Sequence, residues 1–248
     1  MPPVKLFLSV RDRAQCTREC LDGLIRSTAG QADIFVFDNH SGSEFDELFD
    51  FYRQLLDDGK IAHLACNRFT GSLEMYWSKN YAWAQFLALV SILPPEQRQY
   101  LAMVDNDVNV RRNDWLRASI AVLESESAQR HNVAVVSPYD GPPDPSSNPD
   151  MFHNLAVDKF GGRTCEIRDA VCSRVWVASW NFWIQWEPPA WKQVERNGKP
   201  DRMPTDWYYW TRMQRTGRRF AVLRPRLIAD PPHPWPSARM GNAIGEDA

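Results

Sequence analysis

The sequence predicts an α/β fold, a central sheet covered by helices, on two observations. Across the first half of the chain, apolar runs of strand length alternate with segments of helical periodicity, and the joints between them are short. That alternation is the pattern of a sheet assembled by right-handed crossovers. Several of the apolar runs also end abruptly in a polar cluster, as strands do where loops converge at the carboxyl edge of an open sheet.

The elements follow in order. Val4–Val10 is a buried strand by composition, and the next segment places Cys16, Cys20, Leu21 and Leu24 on one helical face. A second strand over 34–37 runs into Asp38-Asn39-His40-Ser41-Gly42, where turn-forming residues crowd together. Phe45, Leu48, Phe49, Tyr52, Leu55 and Leu56 recur at helical spacing, the clearest amphipathic pattern in the chain. A short strand over 61–66 precedes an aromatic-rich and Ala-rich helix over 77–90, stopped by Pro94-Pro95. The wholly apolar strand over 100–104 leads straight into Asp105-Asn106-Asp107. A helix over 114–123 and a strand over 133–136 come next, followed by a loop over 138–149 rich in Pro, Gly, Asp, Ser and Asn. Most of the tryptophans lie beyond it, and no internal repeat is present.

With 248 residues, 44% hydrophobic and 12% aromatic, the chain has ample material for a buried core. A formal charge of -2 gives no overall attraction to nucleic acid or an anionic membrane. No apolar stretch approaches the roughly 20 residues that span a bilayer, and the N-terminal run lacks a cleavage pattern, so a cytoplasmic protein is expected. The five cysteines are odd in number and scattered, which fits buried free thiols.

Three polar clusters stand at strand ends: Arg11-Asp12-Arg13, Asp38-Asn39 and Asp105-Asn106-Asp107. On an extended segment, carboxylates two positions apart face the same side, so Asp105 and Asp107 can address one hard cation, Mn²⁺ or Mg²⁺. The same three residues also suit a turn or a helix N-cap after a strand.

Taken together, the motifs resemble family 2-type GT-A glycosyltransferases over nearly the whole chain. Leu8-Ser9-Val10-Arg11-Asp12-Arg13 with Cys20, Leu21 and Leu24 looks like the first strand and helix of that family, and Val36-Phe37-Asp38-Asn39-His40-Ser41 like its second-strand segment. Asn67-Arg68-Phe69 with Ser78-Lys79-Asn80 and Ala84 is similar to a further family stretch, with Phe69 where a glycine is usual. Asp105-Asn106-Asp107 matches the metal-binding D-x-D. Thr205-Asp206 with Arg212 and Gly217 looks like the acidic acceptor-side motif, with Thr in place of its first acidic member.

The resemblance implies a GT-A fold, a Rossmann-like α/β/α sandwich with a mixed central sheet. It implies one domain over 1–248, with a nucleotide-sugar-binding half at 1–110 and an acceptor half at 111–248. Arg11, Asp38, Asn39, Lys79 and Asp105 would bind the donor, with Asp38 on its base. Asp105 and Asp107 would hold the metal, completed by His233. Asp206 would act as general base on an acceptor hydroxyl, implying inversion, and the loop over 138–154 would close on the donor. A UDP-sugar is the common donor of such enzymes; the acceptor could be a glycan, a lipid-linked saccharide, a protein or a hydroxymethylated DNA base. The family places the strand lining its sugar site at 177–182, and Trp180 and Trp183 could stack on a sugar there, whereas Trp207 and Trp210 repeat at the spacing of core residues. Arg212, Arg215, Arg218, Arg219, Arg224 and Arg226 form a basic run that could track DNA phosphates, or simply coat solvated faces.

Two other classes compete. An apolar strand ending in Asp-x-Asp also opens haloacid dehalogenase-type phosphatases, which need a later lysine; Lys159, Lys192 and Lys199 are the lysines downstream of Asp107. A GT-A-like fold retained only for binding is the non-enzymatic alternative, and it sits poorly with an intact Asp105, Asp107 and Asp206.

Overall fold

The computed structural model describes residues 3–11, 13–39, 45–67, 75–110, 112–139, 154–160, 162–186, 193–196, 199–202 and 205–229. Its first half contains β1 (Val4–Val10), α1 (Ala14–Thr28), β2 (Ala32–Asp38), α2 (Phe45–Asp57), β3 (His63–Cys66), α3 (Met75–Ser91), β4 (Tyr100–Asp105) and β5 (Asn109–Val110). The second half contains α4 (Trp115–Leu123), α5 (Glu126–Arg130), β6 (Val133–Ser137), β7 (Asn154–Phe160), β8 (Arg163–Arg168), β9 (Val175–Ser179), α6 (Trp180–Trp183), β10 (Gln193–Arg196), β11 (Lys199–Arg202), α7 (Thr205–Arg215), β12 (Arg219–Arg224) and β13 (Ile228–Ala229).

Nine strands form one mixed sheet in the order β3-β2-β1-β4-β9-β6-β12-β8-β7. The β3-β2-β1-β4 block is parallel throughout, whereas β9 runs antiparallel to both β4 and β6. β1 is apolar at nearly every position because both of its faces are covered, as parallel strands require. Leu6, Leu8 and Val10 pack with α1, α2, α4 and α5, while Phe7 packs on the other face with α3, α6 and α7. The result is the expected α/β/α sandwich. Strands from both halves of the chain share this sheet, with β9 and β6 inserted beside β4.

Burial refines the helical readings. Leu48 and Tyr52 of α2 are fully buried, but Leu56 is 39% exposed, so the core stripe is narrower than the run of apolar residues suggests. Cys16 is half-buried at the edge of the α1 stripe, and all five cysteines are free thiols. No helix among the described residues is long and apolar enough to cross a membrane.

Candidate active site

The strand order reverses direction of growth at β1, with β2 on one side and β4 on the other, and ligands of open α/β sheets bind at the carboxyl ends beside such a switch point. Ser9 of β1 is in register with Asp105 of β4, and Val10 with Asp38 of β2, so all three strand ends meet at this edge. Asn39 Nδ2 donates to Ser9 Oγ at 3.3 Å, and Asn67 Nδ2 donates to Asn39 Oδ1 at 3.0 Å. Asp38 is fully buried and its Oδ2 accepts from Tyr52 Oη at 3.1 Å. Arg11 follows β1 directly and is half-buried.

Residues 106–107 form a turn and leave the extended geometry expected for Asp-Asn-Asp. The cause is docking on α1. Asn106 Nδ2 donates to Thr17 Oγ1 at 2.7 Å, and Cys20 Sγ lies 3.7 Å from the Asp105 carbonyl it faces. Arg13, just before α1, adopts a left-handed conformation with φ 64°. A bulky residue tolerates that strain only where its surroundings hold it. Here its Nη1 donates to Asp107 Oδ2 at 2.7 Å.

The two carboxylates therefore meet different cations. Lys79 Nζ of α3 is 2.6 Å from Asp105 Oδ1 and also lies 3.4 Å from Ser173 Oγ. Loss of solvent pushes the Asp105 carboxyl above its ordinary range; Lys79 opposes that shift and the nearby Asp107 adds to it. Asp107 Oδ1 is buried without a hydrogen-bond partner, and Arg174 Nε stands 4.0 Å away. An orphaned carboxylate oxygen beside a second carboxylate suits a hard divalent cation. Among the described residues no third His, Cys, Asp or Glu joins them in a metal-binding group, and His233 lies outside those residues.

Asp206 begins α7 on the α3 side of the sheet, and its Oδ1 accepts from the Trp207 backbone N–H at 2.8 Å. The neighbouring Thr205 Oγ1 donates to Asn80 Oδ1 at 2.5 Å, so the residue after Lys79 ties α7 to α3. The segment between β8 and β9 closes this side, pinned by Trp210 Nε1 on the Val171 carbonyl at 3.0 Å and Trp176 Nε1 on the Cys172 carbonyl at 2.9 Å. Burial pushes the Cys172 thiol up to about 11; Asp206 and Asp105 raise it too, while Arg174 opposes them, so one thiol senses both acids.

Strand direction overturns the expected role of Trp180 and Trp183. Because β9 is antiparallel to β4, Val175 pairs with Val104 and Ser179 with Tyr100. The strand starts at the Asp105 edge and ends, about 13 Å away at ~3.3 Å per residue, at the opposite edge of the sheet. Trp183 is fully buried against Trp83 and Tyr209, and Trp180 carries Arg98 over its ring at 5.0 Å. Trp210 is core as expected, whereas Trp207 is only half-buried. Arg174, at the near end of β9, is the site residue that motif reading missed. Strand polarity was the missing signal.

The basic run does not form one stripe. Arg224 makes two hydrogen bonds to Glu166, Arg219 pairs with Asp169 at 2.9 Å, and Arg212 lies 3.6 Å over the Tyr208 ring. Lys159, a lysine the phosphatase reading needs, lies on β7 at the far edge of the sheet.

No family model and no curated protein matches the chain. Solved structures do. GalNAc-T7 with UDP, GalNAc and Mn²⁺ superimposes with a TM-score of 0.61 at 11% identity, covering 93% of this chain and 44% of its own. The mannosyltransferase PcManGT from Pyrobaculum calidifontis, in complex with GDP-Man and Mn²⁺, gives 0.58 at 13% identity, covering 92% and 56%. The chain has the GT-A fold. TarS of S. aureus, residues 1–349, agrees at a TM-score of 0.54 and 12% identity, covering 92% and 60%. The chain thus spans about half the length of these GT-A proteins. On that fold, the Asp105 end of β4 lies at the carboxyl edge of the parallel block.

Proposed function

We propose that this protein is a glycosyltransferase that moves a sugar from a nucleoside-diphosphate sugar to an acceptor hydroxyl, using Mn²⁺ or Mg²⁺. The observation that carries this reading is the orphaned, buried Oδ1 of Asp107 beside Asp105 at the strand edge where the polar network of Ser9, Asn39 and Asn67 converges. Two of the structurally similar GT-A proteins were solved with Mn²⁺ and a nucleotide or nucleotide-sugar, which supports the same chemistry.

Asp105 and Asp107 hold the metal, with His233 as a proposed third ligand. Bound there, a divalent ion supplies Lewis-acid stabilisation of charge on the departing nucleoside diphosphate. Arg11 and the Asn39-Asn67 pair face the nucleoside, and buried Asp38 fixes the wall behind it through Tyr52. Lys79 and Arg13 pair with Asp105 and Asp107 and orient their carboxylates. Asp206 accepts the proton of the acceptor hydroxyl as it attacks the anomeric carbon, so transfer proceeds with inversion. The loop over 138–154, expected to close on the donor, lies mostly outside the described residues.

The test is a nucleotide-release screen over UDP- and GDP-sugars with candidate acceptors, in Mn²⁺ and in Mg²⁺. Asp107→Ala and Asp206→Asn should each lose activity by at least about 100-fold, the scale expected for a group that stabilises the transition state. Full activity in Asp107→Ala would remove the metal assignment. Release of inorganic phosphate from a phosphoester, without sugar transfer, would replace the whole reading.

A further inference from the structure

We infer that Arg174, oriented by Tyr139, is a donor-binding residue that takes the diphosphate of the nucleotide-sugar on the side of the site opposite Lys79; this rests on the glycosyltransferase reading above. Arg174 reaches the site through its backbone, since its carbonyl accepts from the Asp105 N–H at 2.9 Å across the β4-β9 pair. Its guanidinium is held on one side: Nη1 donates to Tyr139 Oη at 2.9 Å, and the cation lies 5.4 Å over the same ring. Tyr139 is itself only 1% exposed. Ser137 Oγ lies within hydrogen-bond distance of both the Tyr139 and the Val175 carbonyls, at 2.6 and 2.9 Å, which ties the Tyr139 backbone to the start of β9 beside Arg174.

Arg174 is therefore preorganised, and its Nε faces Asp107 Oδ1 at 4.0 Å without bonding to it. That gap is wider than a hydrogen bond, although the carboxylate oxygen has no other partner. A diphosphate bound beside Asp105 and Asp107 would lie within reach of this guanidinium. Arg13, Lys79 and Arg174 each stand within 4.0 Å of a carboxylate oxygen of Asp105 or Asp107. A planar, always-charged fork suits phosphate oxygens better than a lysine ammonium does. Part of the diphosphate affinity should consequently survive without a divalent ion.

Calorimetric titration of the full chain with inorganic pyrophosphate, UDP and GDP, in Mn²⁺ and in EDTA, tests this. For pyrophosphate and whichever nucleoside diphosphate binds, Arg174→Met should weaken binding about 10-fold or more in both buffers, the cost of a charge-assisted hydrogen bond. Arg174→Lys should recover only part of that affinity, and Tyr139→Phe should lose a few-fold. Thermal melting checks that each variant is folded; if Arg174→Met is not, the Lys and Tyr139→Phe variants decide by the same weakening. Wild-type affinity in the folded variants would overturn the Arg174 assignment and leave the transfer reading standing. A loss confined to Mn²⁺ would place Arg174 on the metal and also overturn it. If the wild type binds none of the three probes in either buffer, the transfer reading falls with it.

Discussion

Glu166 shows how individual ion pairs tune this fold outside its site. Hydrogen bonds from Arg224 hold its carboxyl below the ordinary glutamate value of about 4.5, with Arg168 adding to the effect. A depressed folded value means that the interaction stabilises the protein above the unfolded pKa and is lost as pH falls through the folded one. Glu166→Gln should therefore lower the urea midpoint at pH 7, and the difference from wild type should shrink at pH 3. An equal difference at both values would show that the side chain acts through packing alone. Within the site, proximity was legible in the sequence: Asp105, Asp107 and Lys79, singled out as candidates, meet as neighbours. Their geometry was not. Asn106 and Asp107 turn away from the β4 strand that ends at Asp105 because Thr17 and Arg13, about ninety residues earlier, pull them down onto α1. No spacing rule reports such a contact.

At the level of elements, the parallel block was readable because strands buried on both faces are mostly apolar, as in β1 and β4. The second half resisted for the opposite reason. β7 lies on the sheet edge, and although Ala156 and Phe160 face the core, apolar Leu155 and Val157 are 49% and 63% exposed, so hydropathy does not follow burial along it. The polarity of β9 is set by pairing with β4, some seventy residues away, and polarity decides which end of the strand meets the Asp105 edge. The tryptophan motif was therefore assigned to the wrong edge, and Arg174 was overlooked. Trp180→Ala, at the far end of β9, should leave nucleoside-diphosphate affinity unchanged by calorimetry. A substantial loss would return the sugar platform to that edge and contradict the strand placement.

For the whole molecule, the sheet brings two halves of one chain to a common edge: β1, β2 and β4 deliver the polar network and the aspartates, and the β9 strand and α7 deliver Arg174 and Asp206. Anything that binds this edge in the folded state and not the unfolded chain should stabilise the protein by mass action. The central claim is that Asp105 and Asp107 bind a divalent ion together with a nucleoside diphosphate. Electron paramagnetic resonance of Mn²⁺ tests it directly, because the six-line signal of the free aquo ion disappears on binding. Adding the protein with UDP or GDP should abolish that signal in the wild type and leave it intact in Asp107→Ala. An undiminished free-ion signal with the wild type, or equal loss in Asp107→Ala, would contradict the account.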